Sequence, residues 1–411
     1  MTKTRMIQAA ALGVAGCMLP GLVQAAFVDD SKATLGLRNF YMNSDNRQDN
    51  AAQSKAEEWA QGFRLDFQSG FTEGAVGFGV DATGLLGIKL DSGSGRTGTL
   101  LLPAGSDGAP DEYSSLGATL KARVAQTTLR AGTLIPKLPV VMSSDTRLLP
   151  QTFQGYQVQS SDIDSLSLTA GRLTDTKARN SSGNDDMTVR AKGSTGTQRA
   201  DQFDYANATY NWTDNLLTGY SYGHLDDNYT QHTVNLIHTA PRGNGQLLRT
   251  DVRVARSLEE GRSNIDNTAM GARFTYSVAG HALSASYQEM RGDTGFAYLG
   301  DTDAYLVNYV MLADFAAPDE KSWQLKYEYD FARAGVPGLK LMTRYTSGDG
   351  FDTAAGTPGK EWERDTDISY TIQSGPLKNV GILWRNATYR SNLNRDVDQN
   401  RLIFNYSFAL F

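Results

Sequence analysis

The chain has 411 residues, of which 40% are hydrophobic and 20% charged, and its formal net charge at pH 7 is −6. Beyond the first 25 residues, no segment reaches the ~20 consecutive apolar residues that a membrane-spanning helix requires, which excludes a helical membrane protein. The only cysteine is Cys17, so the rest of the chain can form neither a disulfide nor a thiolate metal site.

The N-terminal segment, residues 1–25, has the pattern of a cleaved export signal. Lys3 and Arg5 give it a positively charged start, and residues 7–23 form an uncharged apolar stretch. Small residues then occupy the two positions that signal peptidase inspects. We predict that this segment is removed after export. An alternative is a loose lipoprotein cleavage box that ends at Cys17 and would leave a lipidated cysteine.

The rest of the chain repeatedly alternates apolar and polar residues, which is the period of a β-strand. Residues 322–331 have an apolar face of Trp, Leu, Tyr and Phe and a polar face that carries several charges. The last ten residues repeat this pattern on Leu402, Phe404, Tyr406, Phe408 and Leu410. Further examples are Phe63-Leu65-Phe67, Leu120-Ala122-Val124, Leu166-Leu168-Ala170, Ala272-Phe274-Tyr276, Leu283-Ala285-Tyr287 and Ile368-Tyr370-Ile372.

Polar connectors separate these strands, and their lengths differ widely. Residues 278–280 form a short connector, whereas residues 180–197 and 346–359 form longer ones rich in Gly, Asp, Asn and Ser. This combination is typical of outer-membrane barrels, which have short periplasmic turns and long external loops. A soluble β-sandwich or β-helix would also alternate, but charges in mid-strand would be poorly tolerated in a dry core. We therefore predict an all-β protein in which residues 26–411 form one antiparallel transmembrane barrel.

If the apolar face of each strand meets lipid, the opposite face lines the lumen, and this face is rich in cations. The predicted lumenal cations are Arg38, Lys121, Arg123, Arg130, Arg273, Arg344, Arg385 and Arg401. A wall of one charge sign concentrates counter-ions, and the planar fork of arginine binds both oxygens of a carboxylate. Acidic residues such as Asp66 and Asp367 share this face. Any single cation could therefore be a paired wall residue instead of part of an anion path.

One segment, residues 132–158, breaks the strand pattern. Pro136, Pro139 and Pro150 prevent a continuous sheet strand, yet the segment is apolar, which is unusual for an external loop. We predict that it folds into the lumen as a constriction loop. The residues expected at the narrowest point are Ser143, Ser144, Asp145 and Arg147. The alternative is a loop that packs outside the barrel mouth.

Several stretches, in order along nearly the whole mature chain, match those of a known family. They are Leu37-Arg38-Asn39 and residues 68–74, 77–81, 144–155, 321–324, 335–339 and 373–378. On these stretches the chain resembles the OprD family of outer-membrane carboxylate channels, also called the Occ family. The resemblance implies an 18-stranded barrel with a loop-narrowed pore, a lumenal ladder of basic residues and uptake of small carboxylates.

The resemblance also assigns individual positions. Arg385 and Arg401 fall on ladder positions, and Arg147 falls on the constriction loop. Leu383 and Ser369 stand where some members carry basic residues, which argues against selectivity for positively charged amino acids. The chain length is more similar to the K subfamily, whose members favour cyclic and aromatic carboxylates.

We therefore predict a substrate-selective porin for passive uptake of small carboxylates, without a cofactor, a metal or enzymatic activity. The four histidines show no metal-ligand spacing with a nearby carboxylate. Outer-membrane lipid and lipopolysaccharide are the expected partners, nucleic acid is not, and the protein would be a monomer or a loose homotrimer. The alternatives are a general diffusion porin and, from another class, an outer-membrane barrel hydrolase.

Overall fold

The computed structural model describes residues 24–48, 51, 53–105, 108–392 and 394–411. The predicted signal segment therefore lies almost entirely outside the described residues. A short helix, α1 (Gln24–Asp29), precedes the first strand. The strands are β1 (Lys32–Asn46), β2 (Lys55–Gln68), β3 (Gly77–Ser92), β4 (Glu112–Val124), β5 (Thr127–Leu134), β6 (Lys137–Leu138), β7 (Val141–Met142), β8 (Thr152–Ile163), β9 (Leu166–Lys177), β10 (Val189–Arg190), β11 (Phe203–Thr213), β12 (Leu216–Leu225), β13 (Tyr229–Gly243), β14 (Gln246–Glu259), β15 (Asp266–Val278), β16 (His281–Arg291), β17 (Tyr298–Leu299), β18 (Lys321–Asp330), β19 (Leu339–Asp352), β20 (Pro358–Thr371), β21 (Gly381–Ser391) and β22 (Val397–Ala409).

Eighteen of these strands form one closed antiparallel sheet. The alternating pattern predicts the barrel, and the family resemblance implies the number of strands. Each strand pairs with its neighbours along the chain, and β22 pairs with β1 from Thr34–Ala409 to Asn46–Val397. The closure leaves no open sheet edge. The four remaining strands are two residues long and form two small pairs within connectors, β6 with β7 and β10 with β17.

The alternation in the sequence determines the two faces of the wall. In β18, Ser322 and Gln324 are 1% exposed, whereas Trp323 and Leu325 are 46% and 52% exposed. Large apolar side chains are exposed in the same way on most other barrel strands. The outer wall is therefore an apolar belt, and the polar faces of the strands point inward. Among the described residues, no helix is long and apolar enough to cross a membrane.

The connectors differ strongly between the two ends of the barrel. At the short-turn end, strands are joined by tight turns such as Ala125–Gln126 and Asn244–Gly245; Asn244 and Gly245 have φ values of 50° and 73°, as two-residue hairpin turns of type I′ require. At the long-connector end, four connectors are long: residues 93–111, 135–151, 178–202 and 292–320.

The predicted loop at residues 346–359 is wrong in its extent. β19 continues to Asp352 and β20 begins at Pro358, so the connector is only residues 353–357. The Gly- and Asp-rich sequence stays in the sheet because neighbouring strands give it partners, as in the pairs Lys321–Asp349 and Gly348–Glu361. Sheet pairing here overrides the local composition.

The long connectors fold into the barrel and bury its apolar core against the inner wall. Leu148 and Leu149 of the 135–151 connector pack with Phe40 and Ala60 of β1 and β2. Met187 and Leu299, from the 178–202 and 292–320 connectors, join a second cluster with wall residues such as Phe203, Leu225 and Tyr229. The core therefore lies inside the barrel, between loops and strands.

Candidate functional site

The connector between β5 and β8, residues 135–151, lies against the inner wall, and we call it the inner loop. The predicted segment of 132–158 is too long at both ends, because residues 132–134 belong to β5 and residues 152–158 to β8. Arg38 of β1 holds the loop. Its Nη1 atom lies 2.8 Å from Asp145 Oδ1 and donates to the carbonyl oxygen of Arg147 at 2.5 Å.

The inner loop lies between two cavities of the lumen. The upper chamber, towards the long-connector end, has a volume of about 840 Å³, and Arg147 lines it. The lower chamber, towards the short-turn end, has a volume of about 400 Å³, and its lining includes Arg38, Asp145 and residues 148–150. A solute that crosses from one chamber to the other must therefore pass this loop.

Two arginines at this level have no carboxylate partner. In the part of the chain that the structure describes, neither Arg147 nor Arg401 has a carboxylate oxygen within the 4.0 Å ion-pair distance. The Nε atom of Arg147 donates to the carbonyl oxygen of Thr99 at 2.9 Å. Arg401 is 2% exposed; its Nε donates to Gln399 Oε1 at 2.7 Å, and its Nη2 has no hydrogen-bond partner. Neither guanidinium therefore has a direct ion-pair partner among the described residues, although Glu363 and Asp365 of β20 attract Arg401 from a longer distance.

The loop position affects the protonation of Arg147. Burial lowers the pKa of the Arg147 guanidinium to about 10, and the nearby guanidinium of Arg179 lowers it as well. This value is still well above neutral pH, so Arg147 keeps its charge. Arg179 itself donates to Ser144 Oγ at 3.0 Å and to Thr146 Oγ1 at 2.7 Å. Hydrogen bonds therefore fix the loop, and they do not neutralise the positive charge of Arg147.

Other predicted ladder residues are neutralised. Arg385 lies directly beside Arg401 on the neighbouring strand, but it binds both carboxylate oxygens of Asp367 at 2.8 and 2.6 Å. The Nε atom of Arg344 lies 2.6 Å from Asp365 Oδ2. Such pairs satisfy the guanidinium from within the protein, so these donors are only partly available to a solute.

The remaining predicted cations lie away from the inner loop. Lys121 is buried near the short-turn end, where its Nζ atom lies 2.6 Å from Asp81 Oδ1 and donates to the Ser69 carbonyl oxygen at 2.8 Å. Arg123 stacks on the Phe71 ring with a distance of 4.2 Å to the centroid. These contacts anchor the turn between β2 and β3.

Arg130 and Arg273 lie on other parts of the inner wall. Arg130 donates to Gln159 Oε1 at 3.4 Å, near the short-turn end. Arg273 lies across from Asp251 of the neighbouring strand, but its buried Nε atom has no hydrogen-bond partner. Both residues occupy the inner face that the sequence pattern predicts, although neither contacts the inner loop through a hydrogen bond among the described residues.

The prediction that Ser143 and Ser144 line the narrowest point is wrong. Both residues are fully buried, and Ser144 Oγ is covered by the 178–202 connector, whose Arg179 donates to it at 3.0 Å. The amide of Ser144 donates to Gln151 Oε1 at 3.2 Å, and Lys137 donates to the Ser143 carbonyl oxygen. Asp145 and Arg147 are only partly buried and reach the chambers.

Sequence reasoning missed the cations that the long connectors bring to the upper chamber. Arg190, Lys192 and Arg395 line it together with Arg147. The Nζ atom of Lys192 lies 2.6 Å from Asp314 Oδ1. Burial alone would lower the pKa of Lys192, but Asp314 and nearby glutamates raise it above its ordinary value. Connector residues have no strand period, so alternation could not find them.

A row of buried carboxylates was also missed, although its signal is visible in the sequence. Glu361, Glu363 and Asp365, which we call the carboxylate row, are each 1% exposed on the inner face of β20. Glu363 accepts the backbone N–H groups of Leu312 and Ala313, each at 2.9 Å. The row therefore attaches the 292–320 connector to the wall. It follows the same alternation as Asp367, the one acidic residue of this strand that we predicted to face inward.

One histidine does approach carboxylates, which the linear spacing did not reveal. His224, Asp226 and Glu260 place ligand atoms within 4.8 Å of one another at the long-connector end. His224 Nε2 lies 2.6 Å from Glu260 Oε2. The direct contact between His224 and Glu260 accounts for this proximity, and none of the three residues lines either chamber.

Comparison with known proteins agrees with this architecture. A family model described as "outer membrane porin, OprD family" matches residues 25–410. Porin D of Pseudomonas aeruginosa is 36% identical, with 93% of this chain and 92% of that protein covered. The crystal structure of Pseudomonas aeruginosa OpdQ is 52% identical with a TM-score of 0.87, over 94% of this chain and 100% of that one. The structure of Pseudomonas aeruginosa OpdK with vanillate is 37% identical with a TM-score of 0.87, over 93% and 100%.

These matches cover nearly the whole chain and agree with a closed 18-stranded barrel that has an apolar outer belt. They identify a transport channel of the outer membrane and not an enzyme. The short-turn end is then periplasmic and the long-connector end external. The resemblance deduced from the sequence is confirmed, and the chain belongs to the OprD family of outer-membrane porins.

Proposed function

We propose that this porin is selective for small carboxylates and that Arg147 and Arg401 provide the selectivity. The observation that carries the proposal is the absence of a carboxylate partner for either guanidinium within the described residues, at the level where the inner loop separates the two chambers. A carboxylate solute would supply the missing negative charge, in contact with Arg147, which lines the upper chamber, and attracted by the charge of Arg401, which is buried beside the path. Guanidinium–carboxylate hydrogen bonds are among the strongest in proteins.

The upper chamber favours the approach of an anion. Its described lining residues include four bases, Arg147, Arg190, Lys192 and Arg395, but one acid, Asp314. A chamber lined mainly by charges of one sign, next to a low-dielectric wall, concentrates counter-ions at the entrance. We infer that external solutes are enriched here before they reach the inner loop.

The lower chamber provides further basic contacts on the way to the periplasm. Arg38 and Arg64 line it, and each lies near an acid, Asp145 and Asp66 respectively. Several weak sites in series let an ion leave each site as readily as it entered. In this proposal the paired arginines, including Arg344 and Arg385, contribute weaker sites than the unpaired ones.

Cyclic or aromatic carboxylates are the proposed substrates within this class. The upper chamber combines its cations with apolar contacts from Met42, Leu312, Val397 and the ring of Tyr389. Such a lining suits a solute with a ring and one carboxylate. The related OpdK was solved with vanillate, an aromatic carboxylate, which supports the same class for this chain.

The test is single-channel recording in planar bilayers with benzoate and its neutral amide, benzamide, as matched solutes. Benzoate should reduce the current in a saturable manner, and benzamide should not. Arg147→Gln and Arg401→Gln should each weaken the benzoate effect by about tenfold, a change equivalent to roughly 1.4 kcal/mol.

The matched control is Arg364→Gln, because Arg364 lies between two inward carboxylates of β20 and therefore points outward, where it bonds Thr388 at 3.2 Å. It should leave the benzoate effect unchanged. Equal responses to benzoate and benzamide, or equal responses of Arg401→Gln and the control, would contradict selectivity and favour a general diffusion porin.

A further inference from the structure

A third cavity lies apart from both chambers and contains a buried lysine. Its volume is about 170 Å³, and Lys177, the last residue of β9, lines it. None of its lining residues lines the upper or the lower chamber. Lys177 is only 4% exposed. The cavity is therefore a side pocket of the barrel and not a part of the path described above.

The ammonium group of Lys177 is poorly satisfied by the protein. Its nearest acceptors are the carbonyl oxygens of Ala178 and Ser181, at 3.4 and 3.5 Å, which is longer than the usual 2.7–3.2 Å range for N–H···O bonds. Over the described ranges of the chain, no carboxylate oxygen lies within 4.0 Å of it. Lys121 and Lys192 inside the barrel differ, because each has a carboxylate oxygen at 2.6 Å.

An unpaired buried charge is strongly unfavourable unless a counter-ion or a set of dipoles compensates it. The side pocket has groups suited to an anion. Its polar lining consists of Thr83, Ser115, Thr133, Thr152, Gln154, Ser182 and Asn184. Gln154 Nε2 donates to Thr133 Oγ1 at 3.1 Å, so the hydroxyl hydrogen of Thr133 can be donated to a ligand. Thr152 is buried beside Lys177 in the strand register.

We propose that this side pocket binds one small monovalent anion, either a halide or a short-chain carboxylate of the size of acetate, with Lys177 as its counter-charge. At ~30 Å³ per water molecule, the cavity holds about six waters, which leaves room for such an ion and part of its hydration shell. The site does not depend on the proposed transport of carboxylates, so either idea can fail without the other.

The first experiment is anomalous diffraction from crystals of the porin in which bromide replaces chloride. We expect a bromide peak in the side pocket within about 4 Å of Lys177 Nζ, the ion-pair limit. A second soak with bromide and excess acetate distinguishes the ligands. If the bromide peak disappears, the site also binds carboxylates. If the peak persists, the site is selective for halides. Bromide peaks elsewhere in the crystal with none in this pocket would refute the proposal.

The second experiment measures thermal unfolding in bromide and in gluconate at equal ionic strength, with gluconate as an anion too large for the pocket. A ligand that binds only the folded state raises the unfolding midpoint as its concentration increases. The wild-type protein should show this rise, and Lys177→Met should lose it. Lys121→Met is the matched control: it should be less stable overall, because it leaves Asp81 unpaired, but should keep the bromide dependence.

A bromide dependence that persists fully in Lys177→Met would contradict the proposal. If Lys177→Met does not fold, the diffraction experiment on the wild-type protein decides the question.

Discussion

The inner loop and the carboxylate row are both charged regions of the lumen, but they use charge differently. Around the inner loop, Arg147 and Arg401 have no carboxylate partner. Along β20, Glu363 accepts two backbone N–H groups, and Asp365 pairs with Arg344. Charges in the carboxylate row hold the architecture together, whereas Arg147 and Arg401 have no direct ion-pair partner among the described residues. In our proposal, the charges that matter for transport are those that the protein itself does not pair.

The largest expected effect is on stability and comes from a substitution in the carboxylate row. Glu363→Ala removes the acceptor for the amides of Leu312 and Ala313, and a buried N–H without an acceptor costs about 1–3 kcal/mol. We expect the 292–320 connector to detach from the wall, which lowers the thermal midpoint and raises the conductance noise. Both quantities can be measured on the purified protein by thermal unfolding and by bilayer recording.

Glu363→Gln is the intermediate variant, because its single side-chain carbonyl oxygen can accept only one of the two N–H groups that the two carboxylate oxygens accept in the wild type. Its thermal midpoint and conductance noise should lie between those of the wild type and Glu363→Ala. If the conductance noise of Glu363→Ala equals that of the wild type, other contacts hold the connector against the wall.

A smaller effect on benzoate binding is expected when a paired arginine is released from its carboxylate partner. Arg385 is bound by both oxygens of Asp367, so Asp367→Asn should free its donors and strengthen benzoate binding by about fivefold, equivalent to roughly 1 kcal/mol. Arg385→Ala should lower carboxylate flux while the barrel still inserts. The change is measured as the concentration of benzoate that halves the current.

The double variant Arg385→Ala/Asp367→Asn completes this cycle and should return close to wild-type binding. Weaker benzoate binding in Asp367→Asn would show that the carboxylate is not competing with the solute for Arg385.

The sequence predicted the barrel better than the site, and the reason is physical. Alternation with a period of two decides which face of a strand is polar, so it placed Arg385 and Arg401 on the inner wall, and a motif-based resemblance supplied the count of 18 strands. The alternation does not decide whether Asp367 is close enough to pair with Arg385, because this distance depends on the register of the two strands. Loop cations such as Lys192 have no periodic signal. Ser143 and Ser144 illustrate the same limit, since neighbouring segments can bury a polar side chain of a loop.

Lys192 and Asp314 form an ion pair that joins two connectors, so the stability of these loops should depend on pH. Burial tends to raise the pKa of Asp314, but Lys192 outweighs it and holds the pKa below its ordinary value. The pair therefore stabilises the loops above the unfolded Asp pKa of about 3.9 and is lost as pH falls through the lower folded value. The raised pKa of Lys192 preserves its stabilisation below about pH 10.4 and loses it only above that, as pH rises through the folded value.

The measurement is conductance noise between pH 3 and pH 10. We expect a flat response from about pH 4 to pH 10 and more noise below that window. Asp314→Asn should be noisier than the wild type already at pH 7 and should lack the acid step attributable to this pair. An acid step of equal size in both proteins would assign it to another group.

The smallest effect is expected at the periplasmic end, where predicted ladder residues are engaged in anchoring a turn. Lys121 is bound by Asp81 and by the Ser69 carbonyl oxygen, and Arg123 stacks on Phe71. Arg123→Gln should change the ratio of anion to cation permeability by less than about twofold, because an exposed charge is screened over ~8–10 Å by physiological salt. The ratio follows from the reversal potential in a potassium chloride gradient, with Arg401→Gln measured in parallel. If Arg123→Gln shifts the ratio as much as Arg401→Gln does, selectivity is spread along the whole wall, and the distinction between unpaired and engaged cations does not govern transport.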